Sequence, residues 1–107
     1  MPMIKIEYDD TKVSDKEIAS LSESIQKIVS SVTQIEDVFV YANSARIKVK
    51  IAPIEVFVQM TASKIKDKDG LIGEIKSKLS DWKKVSNFQH PINLTLIPMD
   101  WNVEIGI

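Results

Sequence analysis

The chain has 107 residues, 44% of them hydrophobic, with no cysteine and fourteen Lys or Arg against fifteen Asp or Glu, a net charge of −1. That length suits one domain with a real core, spanning residues 1–107, and is too short for two independent ones. The composition excludes disulfides, thiolate metal sites and cysteine nucleophiles. It also leaves no global field to steer the chain towards nucleic acid or anionic lipid, and no apolar run approaches the ~20 residues that span a bilayer. The N-terminus lacks the basic stretch and apolar core of a secretory signal, so a cytoplasmic location is expected.

Pro2 stands directly before a strand predicted over residues 3–8, in which Ile4, Ile6 and Tyr8 share one face and Met3, Lys5 and Glu7 the other. Removal of Met1 would leave a secondary amine at the end of that strand, able to serve as a catalytic base. The structural alternative is a proline tolerated where a strand begins. A loop over 9–13 follows, and Ser14-Asp-Lys-Glu17 fits a capping box that starts a helix. Ile18, Leu21, Ile25, Ile28, Val29 and Val32 then recur at helical spacing, leaving Lys16, Ser20, Glu23 and Lys27 on the wet side. The β-branched and aromatic content of residues 38–42 predicts a second strand.

Residues 43–52 connect two halves, and the alternation Ile47-Lys-Val-Lys-Ile51 is compatible with a short extra strand or hairpin. A third strand is expected over 54–61, with Ile54, Val56, Val58 and Met60 on one face and Glu55, Phe57 and Gln59 on the other. A second helix should start near Asp67 or Asp69. Its stripe is Leu71, Ile72, Ile75, Leu79 and Trp82, despite a Gly73 that costs about 1 kcal/mol relative to alanine. A loop ending in His90-Pro91 leads to a fourth strand over 92–97, which Pro98 is expected to end, and the tail 101–107 is compatible with one more short strand.

Pro2-Met-Ile-Lys-Ile-Glu-Tyr8 is echoed by Pro53-Ile-Glu-Val-Phe-Val-Gln59, and each run is followed by a helix and a strand. The expectation is an α/β, two-layer β-α-β tandem repeat with pseudo-repeats over about 1–43 and 53–98. Two helices would cover one face of a four-stranded mixed sheet. A ferredoxin-like domain has the same element order with antiparallel pairing, and helix periodicity cannot separate the two. The uncovered face would carry Phe39, Tyr41 and Phe57 among polar residues, too aromatic to leave wet, so self-association is expected.

Other signals fall away. Asp67-Lys-Asp-Gly70 opens like a calcium loop, but the later ligand positions hold Leu71, Ile72 and Lys78. Gly70-Leu-Ile-Gly73 lies within the predicted helix rather than before it, unlike a dinucleotide fingerprint. His90 is the sole histidine, with no cysteine or second histidine to complete a metal site. No metal and no cofactor is therefore expected. Lys64, Lys66 and Lys68, with Lys48 and Lys50, read as solvated charges diluted by Asp67 and Asp69.

With its Pro2 start, β-α-β repeat and length, the chain resembles the tautomerase superfamily, which includes oxalocrotonate tautomerase, carboxymethyl-hydroxymuconate isomerase and macrophage migration inhibitory factor. Met60-Thr-Ala-Ser-Lys-Ile65 and Leu94-Thr-Leu-Ile-Pro-Met-Asp-Trp-Asn102 are similar to the corresponding junctions in longer members. It is similar in particular to a small, functionally uncharacterised bacterial branch that also begins Met-Pro, with Asn43-Ser44 after the second strand and Ile97-Pro98 at the end of the fourth. The resemblance implies a homotrimer with pockets at the N-terminal proline, and a small keto acid as substrate; the charge balance and the short apolar runs leave no nucleic acid or membrane partner expected. Pro2 would act as the general acid/base, its amine kept neutral by an apolar pocket.

The resemblance also implies an enolate-stabilising cation, and here the chain departs from the pattern. Phe39 stands where oxalocrotonate tautomerase has an arginine, and the chain's one arginine, Arg46, lies in the connector. Arg46 is either a pocket residue reaching in from there or a solvated side chain. Thr95 falls roughly where a strand-four polar residue lines the pocket in macrophage migration inhibitory factor, and Asn93 fits nearly as well. Thr61 borders the proline pocket by the same likeness, and Trp101 caps a neighbour's pocket or plugs its own chain. Two functions stay open: a keto–enol tautomerase and a non-catalytic ligand-binding or assembly module.

Overall fold

The computed structural model describes residues 1–107. Strand β1 (Met3–Tyr8) is followed by helix α1 (Asp15–Thr33), strands β2 (Phe39–Asn43) and β3 (Ile54–Thr61), helix α2 (Lys68–Ser86) and strand β4 (Asn93–Met99). The sheet runs β2-β1-β3-β4; the outer pairs β1·β2 and β3·β4 are parallel, and the central pair β1·β3 is antiparallel. Each half is a β-α-β unit, and the halves join back to back through β1 and β3. Two parallel pairings in one mixed sheet exclude the ferredoxin-like alternative.

Helix α1 begins where its capping box predicts. The Ser14 hydroxyl accepts from Glu17 N at 3.1 Å and Glu17 Oε1 accepts from Ser14 N at 3.0 Å, satisfying two amides of the first turn. Its Ile18, Leu21, Ile25 and Val29 are buried against Ile4, Ile6, Ile54, Val56 and Val58 of the sheet. Helix α2 starts at an Asp67 cap, Oδ1 accepting from Gly70 N at 3.1 Å, and adds Ile75 and Leu79 to the same core. Both helices therefore lie on one face of the sheet, and the core is the layer between.

Three local expectations give way. Pro98 does not end β4: it pairs with Met60, and the strand continues to Met99. As β4 is an edge strand, an outward position loses nothing when proline lacks its N–H. Residues 47–51 form no strand. They cross from the end of β2 to the start of β3, held by Ser44 Oγ donating to Asp10 Oδ2 at 3.2 Å and by the Lys48–Asp10 ion pair at 2.9 Å. The tail 101–107 has no regular structure and no strand pairing.

On the face away from the helices the register aligns side chains in rows across the sheet. Phe39, Met3, Gln59 and Ile97 form one row; Tyr41, Lys5, Phe57 and Thr95 the next; Asn43, Glu7, Glu55 and Asn93 the last. This face is apolar at the Pro2 end and acidic at the other.

Candidate active site

Pro2 is fully buried at the N-terminal end of a central strand. Its carbonyl accepts from Phe39 N at 3.2 Å, which ties the start of β1 to the start of β2. One step past the last paired positions, Met3 with Gln59 and Met3 with Phe39, Pro2 stands level with Met60 on β3 and Val38 before β2. Met60 and Val38 are themselves buried.

A cavity of about 470 Å³ opens at this end of the sheet, between the C-terminus of α1 and the N-terminus of α2. Met60 forms its floor, Val32 and Ile35 one wall, and Lys64, Ile65, Lys66 and Leu71 the other. Met60, read from sequence as core, is thus both core and cavity floor. Lys64 and Lys66 read as solvated charges in sequence, and both are exposed, at the mouth of this cavity. Lys64 lies inside the Met60–Ile65 junction that carries part of the resemblance, and Lys66 directly follows it.

On the open side of the same sheet end, Trp101 Nε1 donates to Thr61 Oγ1 at 2.9 Å, folding the start of the tail back over the end of β3. Phe39, Thr61 and Trp101 therefore gather at the Pro2 end. The remaining candidates do not. Thr95 lies mid-strand, opposite Phe57. Asn93 lies at the far end, donating to Glu55 Oε1 at 2.9 Å. Arg46, in the connector beyond Asn43, is exposed and likewise at the far end of its own chain.

A second cavity, of about 370 Å³, lies at that far end under the connector, lined by Glu7, Tyr8, Lys50, Glu55 and Phe57 among others. The groups with displaced pKa values also sit away from Pro2, and each has a structural cause. Hydrogen bonding to Asp15 raises the Tyr8 phenol. The Thr11 hydroxyl and amide lower Asp9, and Lys48 lowers Asp10. The Ser14 amide and then His90 lower Glu17. These are turn, tie and cap contacts, so the displaced values mark anchoring rather than catalysis. No three of the chain's His, Asp and Glu residues stand together in a way that could hold a metal ion, and no helix is long and apolar enough to cross a membrane.

Solved structures share this architecture. Malonate semialdehyde decarboxylase superimposes with a TM-score of 0.70 at 11% identity, covering 98% of this chain and 92% of that one. A fused 4-OT asymmetric trimer gives 0.67 at 12% identity, with coverage of 94% and 91%. A domain of unknown function, DUF1904, from Sebaldella termitidis gives 0.65 at 11% identity, with coverage of 100% and 98%. The chain has the tautomerase fold. No protein-family model matches its sequence, and no curated protein is significantly similar to it. The tautomerase fold is thus shown by shape, and the chemistry must be argued from the residues.

Proposed function

We propose that this tautomerase-fold chain, freed of Met1, catalyses proton transfer in a small enolisable keto acid, with Pro2 as general acid/base. The observation that carries the reading is the burial of Pro2 at the N-terminal end of a central strand, one residue before the Met3 pairings with β2 and β3. Desolvation disfavours the charged form of an amine, so a free Pro2 nitrogen in that setting is a usable base near neutral pH. It takes a proton from the carbon beside the carbonyl and returns it elsewhere on the conjugated system, so substrate and product are isomers and no cofactor is consumed. Phe39, Thr61 and Trp101 border the reacting end. Arg46, Thr95 and Asn93 contribute only from a neighbouring copy.

Self-association belongs to the same proposal. Phe39 and Tyr41 are 43% and 51% exposed, and Ile47, Val49 and Ile51 stand out in alternation from the connector. A homotrimer would cover them, as the 4-OT neighbour is itself a trimer. The compartment proposed is the cytoplasm.

The test is the intact mass of untagged protein, followed by the rate of enol-to-keto conversion of a small 2-keto acid, read by loss of the enol's ultraviolet absorbance. Loss of Met1 and a rate at least about 100-fold lower in Pro2→Ala are expected. Retention of Met1, or an unchanged rate, would overturn the catalytic role. The second reading, a non-catalytic binding or assembly module, is favoured by Phe39 standing where the resemblance implies an arginine, and it predicts no rate above background.

A further inference from the structure

We propose that the cavity beneath the connector, at the end of the sheet away from Pro2, binds the ammonium group of an apolar organic amine, with Glu7 and Glu55 as the carboxylates that hold it. This site is separate from the Pro2 chemistry and does not depend on it.

The strand register decides where the charge lies. Glu7 of β1 and Glu55 of β3 stand directly opposite each other in the antiparallel pair, on the face away from the helices. Like charges opposed across two strands destabilise a sheet. No cation of the chain pairs with either, because the ion pairs are Lys48–Asp10 and His90–Glu17. Asn93 Nδ2 donates to Glu55 Oε1 at 2.9 Å, which orients that carboxylate and leaves its second oxygen, with both of Glu7, able to accept from a ligand.

Both glutamates line the cavity of about 370 Å³, whose remaining wall is apolar except for the exposed Lys50. Tyr8 and Phe57 contribute aromatic surface, where an ammonium is also favoured, and Ala45, Ile51 and Ala52 belong to the connector above. That roof is fixed at both ends. Ser44 Oγ and Lys48 both hold Asp10, and Asp9 N donates to Pro53 O at 3.0 Å. A site fixed before its ligand arrives loses less freedom on binding than a free loop would, and the volume lies within the range of small-molecule sites. No third His, Asp or Glu joins the pair in a way that could hold a metal ion, so the donor set is poor for a bare cation. A monocation with an apolar body satisfies both the carboxylates and the rings; a neutral molecule leaves the repulsion between the glutamates in place, and an anion adds to it.

The experiment titrates the full chain near neutral pH with 4-(trifluoromethyl)benzylamine, which is cationic there, and with the neutral 4-(trifluoromethyl)benzyl alcohol, followed by fluorine NMR. The amine should bind more tightly than the alcohol, and the margin should shrink with added salt. Glu7→Gln/Glu55→Gln should weaken the amine about five- to tenfold and leave the alcohol unchanged, as expected for two partly exposed charges. Glutamine keeps the side-chain shape and an oxygen for Asn93 and removes a repulsion, so this variant should melt no lower than the parent. Lys50→Gln takes a like charge from the cavity and should tighten the amine about two- to threefold.

Two controls locate the site. Glu23→Gln/Glu74→Gln, which removes two exposed acids from the helices, should leave amine binding as it is, and so should Pro2→Ala. Equal affinity for amine and alcohol, no binding of the amine, or amine binding indifferent to the Glu7/Glu55 variant would each overturn the assignment. An equal loss in the helix variant would reduce the effect to net charge and overturn it as well, and loss of amine binding in Pro2→Ala would move the ligand to the other end of the sheet.

Discussion

The Trp101–Thr61 hydrogen bond is the one side-chain hydrogen bond that ties the C-terminal tail to the sheet, and its removal should loosen that tail without unfolding the domain. Thr61→Val keeps the side-chain shape and replaces the hydroxyl that accepts from the indole at 2.9 Å with a methyl group. An intramolecular hydrogen bond contributes about 0.5–1.5 kcal/mol net, and water can partly replace it here because Trp101 is only half-buried. The equilibrium between docked and released tail should then shift about two- to thirteenfold, since 1.4 kcal/mol is a factor of ten. Thr61 ends β3 and nothing beyond Met99 joins the sheet, so the loss stays local. Chymotrypsin cleavage after Trp101, read as release of residues 102–107 by mass spectrometry, should accelerate by that factor when opening is fast relative to cleavage. The urea midpoint should hardly move. An unchanged cleavage rate, or a midpoint that falls by the whole energy, would refute the idea that this bond anchors the tail and nothing else.

Glu17 is held below its ordinary value of 4.5 by the Ser14 amide first and by His90 next. A depressed carboxylate contributes stability that is full above its unfolded value and lost as pH falls through the folded one. The deficit of Glu17→Gln in thermal melts should thus be full above about pH 5.5 and shrink as pH drops below 4.5; a pH-independent deficit would contradict the assignment. Tyr8 is raised above 10.0 chiefly by its hydrogen bond to Asp15, so its spectrophotometric midpoint should fall towards 10.0 in Asp15→Asn and stay put if that contact is absent in solution. Gly73 has open space around a Cβ, so Gly73→Ala should gain about 1 kcal/mol, or roughly 4–8 °C in melting temperature. A Cβ at Gly70 would run into the Asp67 carboxylate, so Gly70→Ala should gain markedly less; equal gains would mean the Asp67 cap is not formed.

The elements were legible where local chemistry decides them. Ser14 and Glu17 announce the start of α1, and the alternation from Ile54 to Met60 survives as alternating burial along β3. Pairing was less legible, because whether β2 lies beside β1 in parallel is a property of the assembled sheet that no window of sequence carries. Pro98 was misjudged for the same reason: it breaks a central strand and is tolerated on an edge, and edge status is tertiary. Ile47, Val49 and Ile51 alternate like a strand, but the connector that carries them pairs with no strand of its own chain, and Val49 is left 99% exposed. At the candidate site, Pro2, Thr61 and Trp101 were found as residues, and the cavity was not. It exists only once the end of α1 and the end of β3 are brought together.

The two sources of positive charge open to Pro2 make different demands on assembly. Lys64 and Lys66 reach its end of the sheet within one chain, because they follow β3 as it ends beside the start of β1. Arg46 follows β2 away from Pro2 and can serve only the proline of another copy. A catalyst that uses the lysines keeps its specific activity on dilution for as long as the subunit stays folded. One that uses Arg46 loses activity in step with dissociation, since half of its site leaves with the neighbour. Specific activity measured across the dilution range in which sedimentation shows the assembly dissociating therefore separates the two arrangements. Activity that outlasts the assembly would place the cation within the same chain, and a fall that tracks dissociation while the dissociated chain keeps its helical circular dichroism would place part of the site in the neighbouring copy, which carries Arg46, Thr95 and Asn93.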